Sequence, residues 1–509
     1  MPASTDIILS TLNARYFHAS LGLRYLLANM GDLRAQTCLM EFIISSRPIE
    51  IVEALLEKKP RIIGLGVYIW NAEETLQVVK LLKAVSPETI IILGGPEVTY
   101  ETGQQEITGI ADYTITGQAD ISFREICADL LKNIKPLEKI IRAKPFKLSE
   151  INLPYAEYTD EDIAKRVIYV EASRGCPFKC EFCLSSLDKT VYPFELALFL
   201  EQMQILYDRG VRSFKFIDRT FNLKIETSIR IMEFFLDKMQ HEKVYLHFEL
   251  IPDHLPGKLK ATMQRFPEDS LQFEIGIQSL NPDIQDIISR KQDNNKTEEN
   301  LHWIRQQTTA HIHADLIIGL PGEDVESFAR GFNQLVAMNP HEIQVGILKR
   351  LRGTPIIRHT DEYDMRYSPT APYEILSNNI IKFETMQKMK RFARYWDMIA
   401  NSGRFKFSKD YILGENPFEN FSRLCDWIYS ETGQTHKIAL PRLFSLLRKA
   451  MPEVLHLDEQ KTIEYLLMDY AATGNRGVPK FMTENAPLIK KQATVKRQSE
   501  SRQKRHQLN

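Results

Sequence analysis

Arg174-Gly175-Cys176-Pro177-Phe178-Lys179-Cys180-Glu181-Phe182-Cys183 packs three of the six cysteines of a 509-residue chain into eight positions. It follows directly on a β-rich apolar run at residues 167–171 that reads as a strand. A loop leaving a strand can wrap so that three thiolates face one metal centre. A structural zinc site is normally closed by four ligands, and no fourth Cys or His stands nearby in the sequence. Three thiolates on a four-iron cluster leave one iron open, which suits catalysis. An odd cysteine count and sparse cysteine usage argue against a disulfide.

Beyond this loop, strands alternate with helical patterns. Strand runs are expected at 167–171, 213–217, 244–249, 271–277, 313–317 and 342–347. Six such units suit an open or partial (β/α)6 barrel better than a closed eight-unit one. Before the loop a second alternation is legible. Its strands fall at 7–9, 37–41, 62–68, 89–93 and 113–116, and its helices at 21–30, 49–59, 72–85 and 121–131. This predicts a doubly wound (Rossmann-like) parallel α/β sheet covered on both faces, with ligands at the strand carboxyl ends. The expected division is a front domain at 1–140, a linker at 141–164, the barrel at 165–360, a helical region at 361–485 and a disordered basic tail at 486–509. Within the helical region, helix is expected over 369–410 and again over most of 418–473.

The C-x3-C-x2-C spacing, with Phe182 before the last cysteine at the end of the first barrel strand, resembles the radical S-adenosylmethionine (SAM) superfamily. That resemblance implies a 4Fe–4S cluster on Cys176, Cys180 and Cys183. Its open iron would chelate the amino and carboxylate groups of SAM, and reductive cleavage would yield a 5′-deoxyadenosyl radical. Later strand ends extend the likeness. Glu249 closes one strand. Glu274-Ile275-Gly276-Ile277-Gln278-Ser279 closes the next, Arg290 follows twelve residues after Gln278, and Asp315 opens Asp-Leu-Ile-Ile-Gly-Leu-Pro-Gly. These resemble elements of a branch that includes coproporphyrinogen oxidases and RNA methylthiotransferases. By that likeness Glu249 and Arg290 meet the amino acid end of SAM, Gln278 and Asp315 lie near the ribose, and Phe182 and Ser279 complete the set. The residue types suit this, since Arg grips a carboxylate bidentately and Gln and Asp bond hydroxyls.

A doubly wound domain in front of such a barrel resembles the cobalamin-binding branch. The features that match are the stretch from Asn13 to Gly22, Tyr68-Ile69-Trp70-Asn71, Gly94-Gly95-Pro96-Glu97 and Thr116-Gly117-Gln118-Ala119-Asp120. The implied cobalamin contacts are Asn13, Tyr68, Trp70, Asn71, Gly94, Gly95, Pro96 and Gly117. The D-x-H-x-x-G element that supplies a cobalt-ligating His elsewhere is absent. His18 is followed by Ala-Ser-Leu-Gly and is expected to be a loop hydrogen-bonder. The usual Gly-Glu-Gly-Glu stands here as Gly117-Gln-Ala-Asp120. The basic loop 348–355 is expected to be a solvated charge run. Cys38, Cys127 and Cys425 are expected to be small buried apolar groups. The helical region resembles an extension of unassigned function in one subset of these proteins, and is expected to cap the barrel and help define the substrate pocket.

The resemblance thus implies a cobalamin-dependent radical SAM enzyme that methylates an unactivated carbon or phosphorus of a small molecule, served by a low-potential electron donor such as flavodoxin or ferredoxin. Three other readings remain open from the residues: a ring-forming or rearranging radical enzyme of the same architecture, an RNA-modifying radical SAM enzyme, and a non-catalytic cobalamin or redox sensor. Lys and Arg number 65 against 66 Asp and Glu, a net charge of −1, so no global basic field favours a nucleic-acid partner. Apolar residues at 43% and charged residues at 26% exclude a fibrous or wholly disordered chain. No apolar run approaches the ~18 residues of a membrane span. The N-terminus lacks a basic region followed by a long apolar stretch, so a cytoplasmic location is expected.

Overall fold

A computed structural model describes residues 5–188 and 190–473. The front sheet has six parallel strands: β1 (Ile7–Asn13), β2 (Thr37–Ile43), β3 (Ile62–Gly66), β4 (Ile90–Gly94), β5 (Tyr113–Thr116) and β6 (Ile140–Arg142). Their order is β2-β1-β3-β4-β5-β6, so the direction of winding reverses at β1. Such a reversal opens a crevice at the strand carboxyl ends. β1 and β3 are buried along their whole length because helices cover both faces. On one face lie α1 (Leu21–Ala28), whose N-cap is Ser20, and, after the next four helices in chain order, α6 (Ser122–Leu131). The opposite face carries α2 (Pro48–Glu57), α3 (Ala72–Val85), α4 (Pro96–Thr99) and α5 (Glu106–Ile110).

The expected linker is not loose. It begins inside the front sheet, as β6, and its Tyr155 and Tyr158 are fully buried in the barrel core. Their hydroxyls donate to the Glu171 and Tyr169 carbonyls at 3.1 and 2.9 Å. Polar composition and proline hid these two aromatic anchors. The connector also carries α7 (Asp160–Lys165), closed by a Thr159–Asp162 capping box.

The second sheet is an open barrel. Its first strand is β7 (Ile168–Val170). A short ribbon of β8 (Ser173–Arg174) and β9 (Tyr192–Pro193) then brackets the cysteine loop. β10 (Ser213–Phe216), β11 (Tyr245–Leu250), β12 (Leu271–Gln278), β13 (His311–Ile318) and β14 (Glu342–Ile347) follow, all parallel, in the order β14-β13-β12-β11-β10-β7. The helices between them are α8 (Leu196–Asp208), α9 (Ile225–Lys238), α10 (Gly257–Met263), α11 (Pro282–Ile287), α12 (Asn294–Gln307) and α13 (Val325–Ala337).

An open barrel has two exposed edges, which invite unwanted pairing unless covered. At the β7 edge, Val167 donates its N–H to the Phe17 carbonyl of the β1–α1 loop at 2.8 Å. At the β14 edge sits α14 (Phe383–Ile399), whose Trp396 indole donates to the Ile343 carbonyl at 2.8 Å. Helices α15 (Lys406–Leu413), α16 (Pro417–Thr432), α17 (Leu440–Leu455) and α18 (Glu459–Ala472) continue one apolar core outward from the barrel. Helix was expected from residue 369. The chain instead forms a ribbon, β15 (Arg366–Tyr367) with β16 (Ile375–Ser377), because Pro369 and Pro372 cannot sit in a helix interior. The basic tail at 486–509 lies outside the described residues.

Three polar clamps join the front domain to the rest. Arg24, with its side chain 2% exposed, lies between Glu41 at 2.9 Å and Asp162 at 2.8 Å. Arg350 and Arg352 reach Glu101 and Glu97 at 2.8 and 2.7 Å, so the loop at 348–355 is an interdomain contact rather than a solvated charge run. Arg174 meets Asp120 at 3.1 Å. Removing one partner of such a buried pair strands a charge.

Candidate active site

A cavity of about 220 Å³ opens at the carboxyl ends of the barrel strands, with Cys176, Cys180 and Cys183 on its wall. The loop that carries them leaves β8 through Gly175, whose φ is +94°. A Cβ there would stand 1.9 Å from the Thr190 carbonyl oxygen, so only glycine allows the loop to leave β8 this close to the chain entering β9. Asp218, after β10, accepts from the Ala172 N–H at 2.9 Å and the Ser173 hydroxyl at 2.6 Å, and so fixes the entry to the loop. Burial pushes the Asp218 carboxyl up to about 7. Burial also pushes up the thiols of Cys176 and Cys180, while the Arg290 charge opposes it at Cys180. Among the described residues no three His, Cys, Asp or Glu side chains group around a single ion position. The three thiols stand around a shared cavity, an arrangement that could hold a multi-iron cluster with one face open.

Phe182, Glu249, Gln278, Arg290 and Asp315 line the same cavity as the thiols. Arg290 Nη1 is 3.6 Å from Cys180 Sγ, Nη2 donates to the Gly276 carbonyl, and Nε donates to Gln292 Oε1 at 3.1 Å. β12 ends in a register shift between Gly276 and Gln278, and Gln278 takes a φ of +69°. A bulge of this kind re-aims a side chain, here toward the cavity. A Cβ on Gly276 would lie 2.5 Å from Gln278 Nε2, so this glycine makes room for the turned amide. The same turn sends Ser279 elsewhere. Its hydroxyl donates to buried Glu323 Oε1 at 2.6 Å, and it does not line the cavity, contrary to expectation.

Arg219 and Glu274 also line the cavity, a role the sequence did not assign to them. Arg219 Nη1 donates to the expected Glu249 at 3.0 and 3.2 Å. Glu274 faces His247 Nε2 at 3.0 Å and Lys215 Nζ at 3.7 Å. Burial opposes its ionisation, but the His247 hydrogen bond and the Lys215 charge hold its carboxyl well below the ordinary range. Burial beside Glu274 and Glu249 pushes the Asp315 carboxyl well up. These environments push two nearby carboxyl groups in opposite directions.

A second cavity, of about 450 Å³, lies between the front sheet and the barrel. Gly94, Gly95, Gly117 and Tyr68 line it, as do Gly22, Gly64 and Gly66. Gly95 has a φ of +111°, and a Cβ on it would meet the Val67 carbonyl oxygen at 2.4 Å. This glycine-rich floor, on the α1–α6 face, could take a large flat ligand and its tail. The other four expected contacts do not line it. Asn71 is fully buried, donating to the Leu12 carbonyl and accepting from the Tyr68 N–H at 3.0 and 2.8 Å. Asn13 donates to the His18 carbonyl and Glu41. Pro96 opens α4. Trp70 stacks on Tyr68 with ring centroids 4.4 Å apart, on the outer side and 47% exposed.

His18 also stands apart, its Nδ1 2.5 Å from the Tyr169 hydroxyl. In cobalamin-loaded protein, His18→Ala is expected to leave the visible absorption spectrum unchanged. A shift of the cobalt bands in that variant would place His18 on the metal. Gln118 and Asp120, which replace the two acids of the usual loop, both hydrogen-bond Arg174, two residues before Cys176. Arg219 lines both cavities, so a single side chain forms part of their shared wall. Cys127 and Cys425 are buried, and Cys38 is half-buried on the edge strand β2. No described helix is long and apolar enough to cross a membrane.

Comparison with known proteins agrees with this layout. Residues 9–126 match the B12 binding domain, residues 170–334 the Radical SAM superfamily, and residues 361–508 a family described as a protein of unknown function, DUF4080. The cobalamin-dependent radical SAM methyltransferase TokK of Streptomyces tokunonensis is 23% identical over 363 residues, covering 64% of this chain and 52% of TokK. The 2-(S-pantetheinyl)-carbapenam-3-carboxylate methyltransferase of Streptantibioticus cattleyicolor is 22% identical over 335 residues, covering 58% of this chain and 48% of that protein. The chain therefore spans about half the length of these curated relatives. Among solved structures, the radical SAM methyltransferase TsrM from Kitasatospora setae, with cobalamin and a 4Fe–4S cluster bound, superposes with a TM-score of 0.57 at 14% identity. It covers 72% of this chain and 76% of TsrM, a likeness of fold. A radical SAM domain implies a 4Fe–4S cluster and SAM, and a B12 binding domain implies cobalamin. The chain thus matches the radical SAM superfamily over its barrel, behind a stretch that matches the B12 binding domain and ahead of one that matches the DUF4080 family.

Proposed function

We propose that this protein is a cobalamin-dependent radical SAM methyltransferase acting on an unactivated carbon or phosphorus of a small molecule. The observation that carries the proposal is the shared wall between the two cavities, with Arg219 facing both. Cys176, Cys180 and Cys183 hold the cluster. Arg290 and Glu249 take the carboxylate and ammonium of SAM, and Gln278 and Asp315 face its ribose. Phe182 walls the site against water, which matters because radical chemistry needs exclusion of side reactions. Gly94, Gly95, Gly117 and Tyr68 form the cobalamin floor. When bound, the cluster with SAM supplies a radical that activates the substrate, and cobalamin supplies the methyl group.

The chain's own contribution is apposition. The clamps at Arg24, Arg174 and Arg352 hold the two cavities face to face, so that both reaction partners meet within contact distance. Activity divides accordingly. The front domain through β6 serves cobalamin, the barrel serves SAM, and the C-terminal helices support the barrel edge. A low-potential donor such as flavodoxin or ferredoxin supplies the electron, and a reducing cytoplasm suits the free thiols. No described residue beyond Asp315 lines either cavity, so a substrate-defining role for the C-terminal helices finds no support.

Anaerobic turnover of the loaded enzyme, with SAM, a reductant and a small-molecule extract of the source cell, tests this reading. The expected products are 5′-deoxyadenosine and S-adenosylhomocysteine in about equal amounts, with a metabolite heavier by one methyl group. Deoxyadenosine and product without S-adenosylhomocysteine would sink methylation and leave ring formation or rearrangement.

A further inference from the structure

Glu181 lies inside the cysteine motif yet does not line the cavity that the thiols share, and it is 2% exposed. Its carboxylate accepts from the Ser289 hydroxyl at 2.6 Å, from Arg358 Nη2, and from His359 Nε2 at 2.9 Å. Its backbone is pinned as well. The Glu181 N–H donates to the Ile288 carbonyl, and the Ile356 N–H donates to the Glu181 carbonyl, each at 3.0 Å. A carboxylate buried this deeply survives only with its lone pairs satisfied. The three groups that satisfy it come from two remote parts of the chain.

Each part leads somewhere useful. Ser289 sits at a φ of +54° immediately before Arg290, whose guanidinium reaches Cys180 Sγ. Glu181 therefore sets the distance between the loop that carries Cys180 and the turn that carries Arg290. On the other side, His359 packs on Tyr363, ring centroids 5.7 Å apart, and the Tyr363 carbonyl accepts from the Asn379 N–H at 2.8 Å. That path enters the C-terminal region, which begins at residue 361.

The geometry points to Glu181 as a positioning residue for SAM binding, with Arg358 and His359 as its brace from the edge of the C-terminal region. It acts through the Cys180 loop and Arg290 and touches no ligand itself. The inference rests on the assignment of Cys176, Cys180 and Cys183 to the cluster and of Arg290 to the SAM carboxylate.

The test uses the full chain, loaded anaerobically with iron, sulfide and cobalamin. Two quantities are read: the SAM dissociation constant, and the electron paramagnetic resonance spectrum of the reduced cluster with and without SAM. Glu181→Ala is expected to weaken SAM binding about ten-fold, the size of a lost charge-assisted anchor, and to erase the SAM-dependent change in the spectrum, with cobalamin binding retained. Glu181→Gln keeps an acceptor for Ser289 and Arg358, so its affinity should return to within about three-fold of the natural protein. His359→Ala, which alters neither cavity wall, should shift affinity and spectrum the same way. Natural SAM affinity and spectrum in Glu181→Ala overturn the inference. If Glu181→Ala loses cobalamin and so fails to fold, His359→Ala decides, and natural SAM affinity there overturns it. A natural protein that takes up neither iron nor SAM instead overturns the cluster assignment on which this rests.

Discussion

Protein purified without oxygen is expected to be brown and to carry about four irons, because three thiolates and one open position suit one cubane. Cys176→Ala, Cys180→Ala and Cys183→Ala should each lose that iron and all SAM cleavage. Cys38→Ala, Cys127→Ala and Cys425→Ala should keep both. The contrast follows from position. The first three thiols share one cavity wall, whereas Cys127 and Cys425 sit in apolar surroundings and Cys38 lies on an edge strand. Burial alone disfavours the thiolates of Cys176 and Cys180, so their ionised forms need compensating positive charge. Bound iron would supply that compensation, together with the nearby Arg290 at Cys180. Iron counting with absorption near the thiolate-to-iron bands checks this directly. Full iron in Cys180→Ala together with loss in Cys425→Ala would overturn the assignment.

Arg290→Ala is expected to leave the cluster in place and weaken SAM binding by about ten- to a hundred-fold, since a hydrogen bond to a charged group contributes roughly 1.5–3 kcal/mol. Arg290 is prepared for a carboxylate. Its Nη2 and Nε are held by the Gly276 carbonyl and Gln292, and Nη1 points at Cys180, one of the thiols that would hold the cluster. A guanidinium fixed in this way loses little freedom on binding, which is why the fork suits planar anions better than a lysine would. Arg290→Lys should therefore recover only part of the affinity. Equilibrium binding of SAM to the loaded protein measures both variants. Unchanged affinity in Arg290→Ala removes Arg290 from the site.

Much of this was legible because it is local. Cys176, Cys180 and Cys183 fall within one loop, so their convergence needs no knowledge of distant chain. Buried parallel strands show as continuous apolar runs, so β1, β3 and β4 announce themselves, as does the alternation that makes the barrel open rather than closed. Glycines at 94, 95 and 117 stand at strand ends by spacing alone. Side-chain direction at those ends is a different matter. Gln278 and Ser279 are neighbours in the same motif, yet the bulge after Gly276 sends one into the cavity and the other to Glu323. Asn13 and Asn71 look like ligand contacts by position, but the tertiary structure uses them to brace backbone groups of the front domain.

What the sequence alone determined is the set of units and their chemistry: a doubly wound domain, a cysteine loop after a strand, a six-strand barrel and a helical extension. Tertiary structure alone decided the partners. Arg219 finds Glu249 on the next strand and faces both cavities, the basic loop at 348–355 finds Glu97 and Glu101 some 250 residues away, and Glu181 finds His359. The physical reason is that periodicity and loop chemistry act over one or two turns of chain, whereas a buried charge is satisfied by whichever group the packed fold brings to it.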